Sequence, residues 1–117
     1  MANAQPGQVS LLARWERAVK QKGYQQDTAN TILLNKLSLQ YLYNNTDSAL
    51  YFAKQALELA GNQRYELGQA KALYSFGSAY YVAGNYPASL DAAEKLLNVS
   101  RTINYDAGIA SSNDCEK

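Results

Sequence analysis

The chain repeats itself at a fixed interval. Leu34, Leu37, Ser38 and Tyr41 recur as Leu73, Phe76, Gly77 and Tyr80, each 39 residues later. Ala49, Leu50, Ala53 and Leu57 recur as Ser89, Leu90, Ala93 and Leu97, each 40 later, and Tyr65, Gly68 and Ala70 recur as Tyr105, Gly108 and Ala110. A constant period of this length is the mark of stacked supersecondary units, none of which buries its apolar face alone. Such stacks present extended surfaces, so binding is expected well before catalysis.

The periodicity within each unit is helical. Leu11, Trp15 and Val19 fall on one face at a spacing of four from Ser10 onward, with Gly23 expected to close that helix. Asp27 is placed to cap a second helix whose apolar face holds Ile32, Leu33, Leu34, Leu37, Tyr41 and Leu42. Thr46 or Asp47 is expected to cap a third, which carries Leu50, Ala53, Ala56, Leu57 and Ala60 and ends at Gly61. The fourth is expected from Tyr65 to Ala83, with Leu67, Leu73, Phe76 and Tyr80 inward and Gly84 at its end. Pro87 suits the first turn of a fifth, lined by Leu90, Ala93, Leu96, Leu97 and Ser100. Asp106 to Ser111 reads as the opening of a sixth. No alternating run of β-branched residues suggests a strand, so the fold is expected to be all-α. Gly77 lies inside a helix, where glycine costs about 1 kcal/mol against alanine. With Ser38 as its counterpart, it points to a tight crossing within each helix pair.

Composition narrows the function. Of 117 residues, 47% are hydrophobic and 18% charged, a globular balance, and the net charge of +1 comes with no basic run for nucleic acid or anionic lipid. No apolar stretch is long enough to span a bilayer. The chain has no histidine, which removes the commonest general base and metal ligand. Asp47, Glu58, Glu66, Asp91 and Glu94 are scattered and form no acid/base pair. No phosphate-binding glycine loop or cysteine pair is present, so catalytic, cofactor and metal sites are all expected to be absent. Cys115, the single cysteine, has no partner for an internal disulfide. Ala2-Asn3-Ala4-Gln5 is a faint match to the tail of a signal-peptide cleavage site. The compartment stays open between cytoplasm and periplasm.

Leu73, Phe76-Gly77, Tyr80, Gly84, Tyr86, Ser89, Ala93 and Leu96 together resemble the tetratricopeptide repeat. Leu34, Leu37-Ser38, Tyr41, Ala49, Ala53 and Ala56 resemble it more loosely. The repeat here is about six residues longer than that family's usual length of about 34. The run Asp27-Thr28-Ala29 through Leu33-Leu34-Asn35-Lys36-Leu37-Ser38, with Asp47-Ser48-Ala49-Leu50-Tyr51-Phe52-Ala53, resembles the repeat region of sensor histidine kinases and related signalling proteins of the Bacteroidetes group. The resemblance implies a right-handed α-solenoid of about five helices plus a partial sixth. Its parts would be a leader (1–9), a degenerate capping helix (10–23), two repeats (24–63 and 64–103) and the start of a third (104–117).

In that architecture the first helix of each pair lines a concave groove. This places Ile32, Asn35, Leu39, Leu42 and Tyr43 in the groove from the first unit, and Lys71, Tyr74, Ser78, Tyr81 and Val82 from the second. The lysine and asparagine clamp with which some members hold a chaperone's terminal carboxylate is missing at Asn35, Leu39 and Ser75. Tyr41, Tyr80 and Tyr86 are expected in the core. The function this implies is a scaffold that binds a peptide or partner helix, without nucleic acid, membrane insertion or catalysis. The alternative is an extracytoplasmic sensory segment of a larger signalling protein. Some of Leu90, Ala93, Leu96 and Leu97 are expected to form an exposed apolar edge at the far end of the stack, through which self-association as a homodimer is expected.

Overall fold

A computed structural model describes residues 10–105, and within them every regular element is helical. Helix α1 spans Leu11–Ala18, and a 3-10 turn follows at Tyr24–Gln26. Then come α2 (Thr28–Gln40), α3 (Thr46–Gln63), α4 (Glu66–Val82) and α5 (Tyr86–Thr102). Each helix packs on the next, and α2 also touches α4. The expected sixth helix and the leader lie outside the described residues.

The helix starts follow from their first polar side chains. Ser10, Asp27, Asn45 and Asn85 each accept a hydrogen bond from a backbone N–H of the first turn, at 2.9–3.3 Å. These bonds satisfy donors that a helix leaves orphaned. Asn45, not Thr46 or Asp47, caps α3, and Asn85 repeats it 40 residues on. Pro87 sits in the first turn of α5 as expected. The helix ends differ from those expected. α1 stops at Ala18, short of Gly23, which carries its positive φ of 81° beyond a turn. Gly61 lies inside α3, which ends on Arg64 at φ 54°, and Asn104 repeats that left-handed turn at φ 57°. In both, the following tyrosine N–H reaches back five residues, Tyr65 to the Ala60 carbonyl (2.9 Å) and Tyr105 to that of Ser100 (2.7 Å). This is the 6→1 bond of a Schellman ending.

The main core joins Leu34, Leu37, Phe52, Ala56, Leu59 and Ala72, with Leu11, Leu12 and Trp15 of α1 packed against it. Tyr41 stacks on Phe52 at 5.7 Å, and Trp15 meets Tyr24 edge-on at 5.9 Å. A second cluster holds Leu42, Ala49 and Ala79, and a third holds Ala70, Leu73 and Leu96.

Small residues set the helix approaches. Within the first pair the Ser38 hydroxyl donates to the Ala49 carbonyl at 2.7 Å. Within the second, the Ser89 hydroxyl donates to the Gly77 carbonyl at 2.8 Å. These are the same two positions of the repeat, with the donor moved from one helix to the other. The tight crossing expected at Ser38 and Gly77 is there, yet it does not require glycine: a Cβ on Gly77 would sit 3.7 Å from Ala92 and Ser89, at ordinary contact. Gly68 is the sterically obligatory one. A Cβ there would lie 2.6 Å from the Tyr65 ring and 2.8 Å from the Thr31 methyl. Gly68, Ala72, Ser75 and Ala79, at spacings of four, three and four, form one buried stripe along α4.

One residue ties the start of α2 to the end of α3. Gln63 accepts from the Thr31 hydroxyl at 2.7 Å, and its Nε2 donates to the carbonyls of Gln25 and Asp27 at 2.9 and 3.0 Å. Thr31 is fully buried, so its hydroxyl has no recourse to water.

Three outcomes follow for urea denaturation. Gln63→Ala orphans the Thr31 hydroxyl and should cost about 1–3 kcal/mol. Gly77→Ala should stabilise by up to about 1 kcal/mol, whereas Gly68→Ala should destabilise by about 1–3 kcal/mol through overpacking. Equal effects at the two glycines would show that their surroundings do not differ as described.

Candidate functional site

Helices α2 and α4 meet where Gly68 lies over Thr31 and the Asn35 Nδ2 donates to the Gly68 carbonyl at 3.4 Å. Their contact leaves two stripes of side chains facing outward. On α2 the stripe is Ile32, Lys36, Leu39 and, just past the helix, Tyr43, all exposed. Spacings of four, three and four keep them on one face. On α4 it is Lys71, Tyr74, Ser78, Tyr81 and Val82, all exposed but Ser78, which is half-buried.

These stripes gather most of the exposed large apolar residues. Of nine, six belong to them (Ile32, Leu39, Tyr43, Tyr74, Tyr81, Val82), and Tyr51, Tyr86 and Leu90 lie on α3 and α5. Scattered single apolar residues are ordinary on a surface, whereas adjacent ones mark interaction sites. The Tyr81 and Tyr86 rings lie 5.3 Å apart, which carries the aromatic surface onto the start of α5.

Two of the ten expected groove residues are not on this surface. Asn35 is only 6% exposed because α4 covers it, and Leu42 is 9% exposed because it packs with Ala49 and Ala79. Both lie on the side of α2 that the second unit covers, and a helical wheel of α2 alone does not contain that contact. Leu39, Tyr43, Lys71, Tyr74 and Tyr81 are exposed, and Ser78 partly so. Tyr86, expected in the core, is 60% exposed. Lys36 was missed, although its spacing from Ile32 and Leu39 gives its place.

The electrostatics are simple. Past its Asp27 cap, α2 carries one charged residue, Lys36, and past Glu66 in its first turn α4 carries one, Lys71. Both are cationic, in a largely apolar and phenolic setting. A depression of about 380 Å³ adjoins the α2 stripe, with Ile32, Leu33 and Ala29 as walls and Arg14 and Lys36 among its lining. A second, of about 220 Å³, lies between α3, α4 and α5, lined by Leu57, Leu73, Phe76 and Tyr80 and crossed at its edge by Asp91 and Lys95. Those two form the one ion pair among the described residues, at 3.1 Å and well exposed, so it adds little to stability. No group of three metal-binding side chains occurs among the described residues, and no helix there is long and apolar enough to cross a membrane.

No family model, characterised protein or solved structure matches this chain.

Asn35 offers a check on the α2–α4 contact. Its Oδ1 is buried without a partner, and its one hydrogen bond is long. Asn35→Leu removes an unsatisfied polar atom at nearly constant shape, and should stabilise the fold by about 1 kcal/mol. A loss of stability in thermal or urea unfolding would mean that this amide holds the two helices together.

Proposed function

We propose that this chain is a protein–protein interaction module, an α-solenoid of two tetratricopeptide-like helix pairs behind a short capping helix, with no catalysis of its own. The observation that carries the reading is the exposure of Ile32, Leu39, Tyr43, Tyr74, Tyr81 and Val82 on two helices that touch each other. Tyrosine combines a large apolar body with a polar tip, and such residues concentrate binding energy at interfaces. The absence of histidine and the scatter of the carboxylates speak for binding over hydrolysis.

The same surface suggests what it would take. A helix or extended peptide with apolar or aromatic anchors would cover the stripes, and a carboxylate on it would meet Lys36 or Lys71. Nucleic acid fits poorly, because two isolated lysines do not make a phosphate-tracking surface.

The test is selection from a displayed library of random peptides, followed by affinity measurement with the enriched sequences. Selected peptides should carry aromatic or aliphatic anchors with an acidic residue. Tyr74→Ala and Tyr81→Ala should each weaken them about tenfold or more while leaving the helical circular dichroism unchanged. Enriched peptides that bind both variants as tightly as the parent protein, or no enrichment at all, would remove this surface as the site.

A further inference from the structure

A face that α4 buries, α2 leaves open. Gly68, Ala72 and Ser75 are buried where α4 lies on the first unit. Their counterparts 39 residues earlier are Ala29, Leu33 and Lys36, of which Ala29 and Lys36 are exposed and Leu33 is half-buried. The cause is the length of the helix in front. α4 rests on α2 and on the 18 residues of α3, whereas α2 has before it only the eight residues of α1. What stays uncovered is the depression of about 380 Å³ between α1 and α2.

Its lining combines two kinds of surface. Ala18, Ala29, Ile32 and Leu33 supply apolar walls, and Arg14 from α1 and Lys36 from α2 supply two cations. No carboxylate lines it, and neither cation forms an ion pair among the described residues. Of the two acids near in sequence, Asp27 accepts from the Ala29 N–H at 2.9 Å as the cap of α2. The other, Glu16, lies two positions past Arg14, about 200° round α1.

Both cations are exposed, so alone they would hold a free anion weakly against water and salt. A ligand kept there must be held elsewhere too. The depression shares Ile32 and Lys36 with the outward stripe of α2, the surface assigned above to a partner peptide. A group carried on a chain already bound at that stripe reaches the depression at high effective concentration. Residues 1–9 of this chain contain no Asp or Glu and so offer it no matching charge.

We propose that the depression seats an acidic residue of that peptide, its carboxylate held by Arg14 and Lys36 and a neighbouring apolar side chain of the peptide against Ala18, Ala29 and Leu33. This occupant presupposes the peptide-binding surface of α2 and α4 described above, and it makes α1 part of the site as well as a cap. Arg14 presents a planar fork of N–H donors matched to a carboxylate, and Lys36 adds a second charge.

The test pairs an enriched library peptide with the same peptide carrying the amide in place of its acid. Affinities of both are measured for the wild-type chain and for Arg14→Gln, Lys36→Gln and Lys71→Gln, with circular dichroism to confirm each fold. The wild-type chain should bind the acidic peptide at least about fivefold more tightly than the amide. Arg14→Gln should abolish that preference and leave the affinity for the amide unchanged. Lys36→Gln should reduce the preference, and Lys71→Gln should not alter it. A preference that survives Arg14→Gln overturns the proposal, while weaker binding by Tyr74→Ala would still uphold the peptide surface. A preference lost in Lys71→Gln instead places the carboxylate on α4 and overturns it likewise, as do enriched peptides that carry no acid. If Tyr74→Ala and Tyr81→Ala bind every peptide as the parent does, or no peptide is enriched, the surface itself falls and this occupant with it.

Discussion

The rest of the structure depends on how closely α4 can lie against the first helix pair. Gly68, Ala72, Ser75 and Ala79 offer almost no side-chain bulk along one face, so the α4 backbone comes down onto Thr31 and the Leu42–Ala49 cluster. Close approach maximises dispersion contacts and excludes water from the polar backbone between the helices. It also fixes how far apart the α2 and α4 axes lie, so a larger residue at 68 would push the two helices apart and loosen the core.

How far the sequence revealed this can be argued residue by residue. The helices were legible because their apolar positions keep a period near 3.6, and the cap Asp27 and the first-turn Pro87 mark two of their starts. The repeat itself located the Ser38 and Gly77 crossing. Helix ends were harder, because Gly61 looks like a stop signal while Arg64 takes up the left-handed turn. Nothing in a single arginine announces a positive φ. Gln63 was invisible for another reason: its three hydrogen bonds reach residues more than 30 positions earlier, and amide side chains carry no periodic signal.

The surface was half legible. A helix has one face toward its pair mate and another toward the next unit, and the periodicity of α2 does not separate the second from solvent. Leu39 and Asn35 therefore looked equivalent, although one is exposed and the other lies under Gly68. Tyr86 failed in the opposite sense. Its place in the repeat suggested the interior, but at the first residue of α5 it lies beside Tyr81 on the outside.

The exchange of serine between Ser38 and Ser89 has a consequence for how such units can diverge. The bond needs one hydroxyl and one carbonyl at the crossing, and either helix can supply either. A unit can pass from one arrangement to the other through an intermediate with serine on both helices, or with neither, without a change of spacing. At each step the crossing stays narrow as long as both side chains remain small. Length and steric size are therefore fixed at this point of the unit, while the polarity of the bond is free to drift.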